Sequence, residues 1–133
     1  MVANFFWVGF GGALGSMARY WMALVVARHL GEAFPWGTLF INIIGSFIIA
    51  FFGTLTTAQG PYAVPAEARL FVMVGICGGY TTFSSFSLQT LELLRGGEGV
   101  AAMAYILASN VFCILAAAVG YYVAAAAGGR GLA

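Results

Sequence analysis

Apolar residues run almost unbroken through four stretches of this 133-residue chain, and polar residues gather in short gaps between them. The stretches cover about residues 5–27, 37–57, 70–94 and 100–126, and each is long enough for a transmembrane helix of roughly 20 residues. The gaps carry turn chemistry. Gly31 to Trp36 holds Gly, Glu and Pro, Gln59 to Ala66 holds Gly60, Pro61 and Pro65, and Gly96, Gly97 and Gly99 form a third turn. The pattern predicts an all-α membrane protein: one four-helix transmembrane domain over residues 1–133, with a frayed tail from Gly128 and no soluble module.

The third stretch is interrupted. Residues 78–87 read Gly-Gly-Tyr-Thr-Thr-Phe-Ser-Ser-Phe-Ser, with two adjacent glycines, five small hydroxyl residues and two phenylalanines three positions apart. Backbone that departs from helix at membrane depth survives only when buried in protein or lining a polar cavity. This decapeptide therefore marks the working part of the molecule, with a helix break expected at the glycines.

Composition agrees with the membrane reading. The chain is 62% hydrophobic and 7% charged, against about 25% charged for an ordinary soluble domain. A net charge of +1 rules out a polybasic nucleic-acid surface. The N-terminal Met-Val-Ala-Asn-Phe-Phe has no basic stretch, so the first helix is expected to be retained rather than cleaved as a signal. Cys77 and Cys113 lack CxxC or CxxH spacing and read as buried packing thiols. No nucleophile–base pair or metal cluster suggests an enzyme.

The charged residues are five Arg and four Glu. Four spans would put Arg69 and Arg130 on one side and Arg28 and Arg95 on the other. Loop Arg/Lys bias sets insertion direction, and here it is balanced. Either a small protein simply has few charges, or both orientations are inserted and two opposed copies assemble, giving the inverted symmetry common among transporters. Glycine pairs at four-residue spacing, Gly11 with Gly15 and Gly75 with Gly79, permit close helix contacts.

Polar groups at membrane depth form stripes. Thr38, Asn42 and Ser46 recur every four residues on the second helix, as Tyr105, Ser109 and Cys113 do on the fourth. Asn42 is either interhelical glue or a donor to a passing anion. Arg19, costing about 2.5–3.5 kcal/mol at helix centre, snorkels to the interface, faces an aqueous vestibule or pairs within the protein. Phe83 and Phe86, at i and i+3, either pack together or present their positive ring edges to an anion, with Ser84, Ser85 and Ser87 beside them. Carboxylates and the single His stay at or near span ends, so coupling to protons or cations is poorly supported.

The decapeptide closely resembles the signature of the Fluc/CrcB fluoride channels, and the resemblance covers nearly the whole chain. Gly9 to Arg19 (GFGGALGSMAR) is similar to that family's first-helix glycine stretch and arginine, and Gly37 to Ser46 (GTLFINIIGS) to its second-helix GTLxxNxxG. The resemblance implies an antiparallel, dual-topology homodimer in the inner membrane, exporting cytoplasmic fluoride passively through two pores between subunits. It implies Phe83 and Phe86 as pore-lining rings, Asn42 as a fluoride donor, and Ser84 and Ser85 beside the pore. Tyr105 and Ser109 would belong to a polar track, and Arg19 would line a vestibule. The backbone carbonyls of Gly78 and Thr81 would hold a structural sodium ion at the dimer centre. Gln89, where family members often have Glu, and Cys113, which replaces a hydroxyl, depart from the pattern at the far end of the track. The alternative is a four-helix exporter of the small multidrug-resistance type. Such an exporter should have Glu in its first helix, where this chain has Arg19 and no acid.

Overall fold

The structure, a computed structural model, describes residues 1–57 and 62–128, and among these the only regular elements are helices. The expected turn at Gly60 and Pro61, and the tail with Arg130, lie outside the described residues. Helix α1 spans Val2–Leu30 and α2 spans Trp36–Leu55. Helix α3 begins at Ala66–Arg69, continues as a π-wound stretch, Leu70–Cys77, and ends with Gly78–Tyr80. After a two-residue break come α4, Phe83–Arg95, and α5, Gly99–Ala127.

The turn residues do what their types require. Gly31 ends α1 at φ +77°, and Gly97 sits at φ +80° between α4 and α5, a region open to Gly but costly for other residues. The Gly97 N–H donates to the Leu94 carbonyl at 3.1 Å and the Glu98 N–H to the Leu93 carbonyl at 2.9 Å. That pair of bonds is a Schellman closure, and it satisfies the last carbonyls of α4. At the opposite end of the bundle, Arg69 ties the start of α3 to the end of α2. Its Nη1 donates to the Gly53 carbonyl at 3.1 Å and to Thr56 Oγ1 at 2.6 Å.

Three helical stretches, Trp36–Leu55, Ala66–Arg95 and Gly99–Ala127, are both long and apolar enough to cross a membrane. Helix α1 has the length, at 29 residues, but its run of Gly, Ser and Arg makes it less apolar. The helices alternate in direction. α1 runs parallel to α3, because Gly11 meets Phe71 and Gly75 whereas Gly15 meets Ile76 and Tyr80. α2 runs against α3, with Gly53 at Met73 and Gly45 at Thr81.

The glycine pairs of α1 and α3 interlock. A Cβ on Gly79 would lie 2.5 Å from the Gly12 carbonyl oxygen, and one on Gly75 would lie 2.9 Å from Gly11 Cα. This contact corrects the expected position of the break. Gly78 and Gly79 remain helical, and the missing side chain of Gly79 serves the approach of α1 rather than chain flexibility. The departure from helix falls at Thr81 (φ −80°, ψ 160°) and Thr82 (φ −154°, ψ 119°).

Candidate functional site: the break between α3 and α4

Ordinary helix chemistry is rerouted at the break. Thr81 closes α3, its N–H and its Oγ1 both donating to the Cys77 carbonyl at 2.9 Å. The next N–H, that of Thr82, would reach the Gly78 carbonyl in a continuous helix; instead it donates to Asn42 Oδ1 at 2.8 Å. Asn42 Nδ2 donates in turn to the Thr82 carbonyl at 3.0 Å. One side-chain amide thus satisfies both polar groups of an extended residue.

Thr82 is also the N-cap of α4. Its Oγ1 accepts from the Ser85 N–H at 3.2 Å, donates to Ser85 Oγ at 3.0 Å and lies 3.3 Å from Ser84 Oγ. A Thr cap satisfies one orphan donor of the first turn and stabilises a helix by typically about 1 kcal/mol. Because Ser85 N–H goes to this hydroxyl, the Thr81 carbonyl loses its helical partner as the Gly78 carbonyl does. The Gly79 and Tyr80 carbonyls likewise receive no backbone donor from α4, so four successive main-chain oxygens leave the helical pattern, with Ser16 Oγ donating to that of Gly79 at 3.5 Å. Oxygen donors of this kind suit a hard cation.

A cavity of ≈ 320 Å³ opens beside the break. Asn42 and Ser46 of α2, Thr81 and Thr82 of the break, Phe83 and Phe86 of α4, and Ser109 and Cys113 of α5 line it, with Ile49 and Ile114 as its apolar wall. The lining includes no charged side chain. Asn42 has one amide hydrogen on Thr82 and a second still to give. Ser109 is 7% exposed, and its hydroxyl has no hydrogen-bond partner.

The two phenylalanines pack together with ring centroids 5.4 Å apart and planes tilted by 48°. Phe86 rests on Tyr105 at 5.1 Å, whereas Phe83 is 78% exposed. Tyr105 is wholly buried and lies off the cavity. Its hydroxyl donates to Gln89 Oε1 at 2.8 Å, and its ring packs edge-on to Phe34 at 5.5 Å. The Thr38–Asn42–Ser46 stripe is divided likewise. Thr38 faces a second cavity of ≈ 470 Å³ with Gln89, Glu32, Glu92 and Glu98, near the ends of α1 and α4.

The remaining expected site residues are more scattered. Ser84 is exposed and Ser85 half-buried, both bonded to Thr82 rather than lining the cavity. Arg19 is half-buried and borders neither cavity, although it follows by one turn Gly15, which packs at Tyr80. Cys77 is a packing thiol at 3% exposure, but Cys113 is not: it is half-buried and lines the central cavity. Thr82 was missed as a separate functional residue. Its signal was the Thr-Phe-Ser-Ser string, a hydroxyl three residues ahead of a capped N–H.

Comparison with known proteins decides the family. A family model described as CrcB-like protein, Camphor Resistance (CrcB), matches residues 6–121. The chain belongs to the Fluc/CrcB family. Among its Fluc/CrcB relatives, a protein of Methylocella silvestris named fluoride-specific ion channel FluC is 54% identical over 92% of this chain and 94% of its own. One of the same name from Methylobacterium radiotolerans is 58% identical over 86% of this chain and 80% of its own. A third, from Rhodospirillum rubrum, is 51% identical over 89% and 92%. Three apolar spans and this Fluc/CrcB membership make the chain an integral membrane protein.

Proposed function

We propose that this protein is a fluoride-selective channel that lets cytoplasmic fluoride leave passively across the inner membrane. One observation carries the reading: the cavity at a helix break offers neutral donors and phenyl rings, with no charged side chain in its lining. Fluoride is small and strongly hydrated, so a pore must replace its water while binding weakly enough for exit. The second hydrogen of Asn42, the unpartnered Ser109 hydroxyl, the edges of Phe83 and Phe86 and the positive end of α4 meet both needs. Ser84, Ser85 and Tyr105 would support the path from behind, and Arg19 would draw anions to a vestibule. The protein is not an enzyme.

Residues 1–133 act in this reading as one four-helix domain, with α1 as the fourth span. Two such chains pair antiparallel, and the partner covers Phe83, which is 78% exposed beside an open cavity. The one interface of the pair gives two pores. The Gly78 and Thr81 carbonyls of both copies would hold a structural sodium ion, whose fixed charge draws anions toward the break. The exporter alternative asks for a carboxylate in α1, and that helix has none.

Purified protein in liposomes loaded with fluoride should release it to a fluoride electrode while retaining chloride. Release no faster than from empty vesicles contradicts the proposal. For topology, a cysteine placed at Glu98 should be labelled from both sides of the membrane; labelling from one side alone removes dual insertion.

A further inference from the structure

We infer that Cys113 and Ser109 form a binding site for a soft, thiophilic cation inside the central cavity, and that occupancy of this site shuts the anion path. Cys113, expected to be a buried packing thiol, is half-buried on the wall of the ≈ 320 Å³ cavity. Ser109 precedes it by four residues on α5, so both side chains leave the same helix face. Ser109 lines the same cavity, is 7% exposed and has a hydroxyl without a hydrogen-bond partner. A thiolate with an uncommitted oxygen one turn away is a two-donor set, and thiolate selects soft cations over the hard ones that oxygen alone prefers.

Binding is a proton exchange without oxidation. The Cys113 S–H bond breaks, an S–metal bond forms, the proton leaves to water, and the Ser109 hydroxyl contributes a lone pair. No side chain of the lining is charged, so a cation bound at Cys113 adds a fixed positive charge on the cavity wall itself, beyond the sodium proposed at the break. Conduction requires an anion to leave as readily as it enters; a cation held at Cys113 makes the cavity a trap. Cys77, the other thiol, is 3% exposed in the π-wound part of α3 and lines neither cavity.

The blocking half of this inference rests on the cavity being the fluoride path; the binding half does not. The test uses Hg²⁺, supplied as nitrate, on the full-length protein in liposomes. Efflux is read before and after Hg²⁺, and the modified cysteine is located by peptide mass. Wild-type and Cys77→Ala proteins should lose efflux, with mercury on Cys113, and recover it when excess thiol is added. Cys113→Ser should keep whatever efflux it has. Ser109→Ala should give up its mercury to a competing thiol at lower concentration than wild type. Block persisting in Cys113→Ser, mercury found on Cys77 alone, or undiminished efflux with Cys113 modified overturns the inference. Should no variant pass fluoride even without Hg²⁺, the channel reading fails by itself. Mercury on Cys113 then still supports the cation site, and its absence overturns it.

Discussion

Asn42 holds Thr82 by both of its main-chain polar groups, accepting from the N–H at 2.8 Å and donating to the carbonyl at 3.0 Å. The two residues are 40 apart in sequence, so α2 fixes the conformation of a break that the α3–α4 segment could not hold alone. In lipid an unsatisfied backbone group costs several kcal/mol. The clasp explains how two extended residues persist inside a span.

Asn42→Ala removes both partners at once. At about 1–3 kcal/mol for each group left unpaired, the melting temperature in detergent should fall clearly and fluoride efflux should be lost. Asn42→Asp keeps the acceptor but loses the donor, and should fall between. Wild-type melting of Asn42→Ala contradicts the clasp.

Phe83 and Phe86 should separate function from stability. Phe83 is 78% exposed in the single chain, so Phe83→Ile should change chain stability by no more than about 0.5 kcal/mol, as is usual for surface positions, yet block efflux. Phe86→Ile also loses the ring contact to Tyr105 at 5.1 Å and should both destabilise and block. Unchanged efflux in both variants reduces the rings to packing.

Hydrophobic run length made three membrane-capable stretches legible, Trp36–Leu55, Ala66–Arg95 and Gly99–Ala127. Gly31 and Gly97 mark helix boundaries by turn chemistry, each at a positive φ. The break was legible as an event but misplaced. Composition pointed to Gly78 and Gly79, whereas the position is set by Asn42 reaching Thr82, a long-range bond that no local pattern encodes. The same limit applies to the stripes. Four-residue spacing put Thr38 with Asn42 and Tyr105 with Ser109, but spacing cannot say where along a face one cavity ends and another begins. Cys113 looked inert because sequence gives residue type and not the neighbour that leaves it uncovered.

Gly79 tests the α1–α3 interlock. A Cβ there would lie 2.5 Å from the Gly12 carbonyl oxygen and 3.0 Å from Gly12 Cα, both rigid main-chain atoms. Gly79→Ala should destabilise by about 1–3 kcal/mol, the usual range for overpacking, and shift the elution profile in detergent. Gly9, with nothing within 4 Å, is the control, and Gly9→Ala should be neutral. Equal behaviour of the two variants contradicts the interlock.

Tyr105 joins the bundle core to the site. Tyr105→Phe forfeits the 2.8 Å bond to Gln89 while keeping the ring against Phe34 and Phe86. It should cost about 0.5–1.5 kcal/mol with partial loss of efflux. Tyr105→Ala removes the wholly buried ring and should cost about 3–5 kcal/mol, in the range of large aromatic truncations, and abolish efflux. Melting curves and electrode traces on the same preparations separate the two effects.

The channel claim meets its most direct test in a planar bilayer with fluoride on one side and chloride on the other at equal concentration, with a shared impermeant cation. The current should be carried by fluoride alone, with a reversal potential displaced far toward the fluoride equilibrium value and no reading near zero. A reversal potential at zero, showing equal passage of the two halides, or the absence of any current from verified protein, contradicts it.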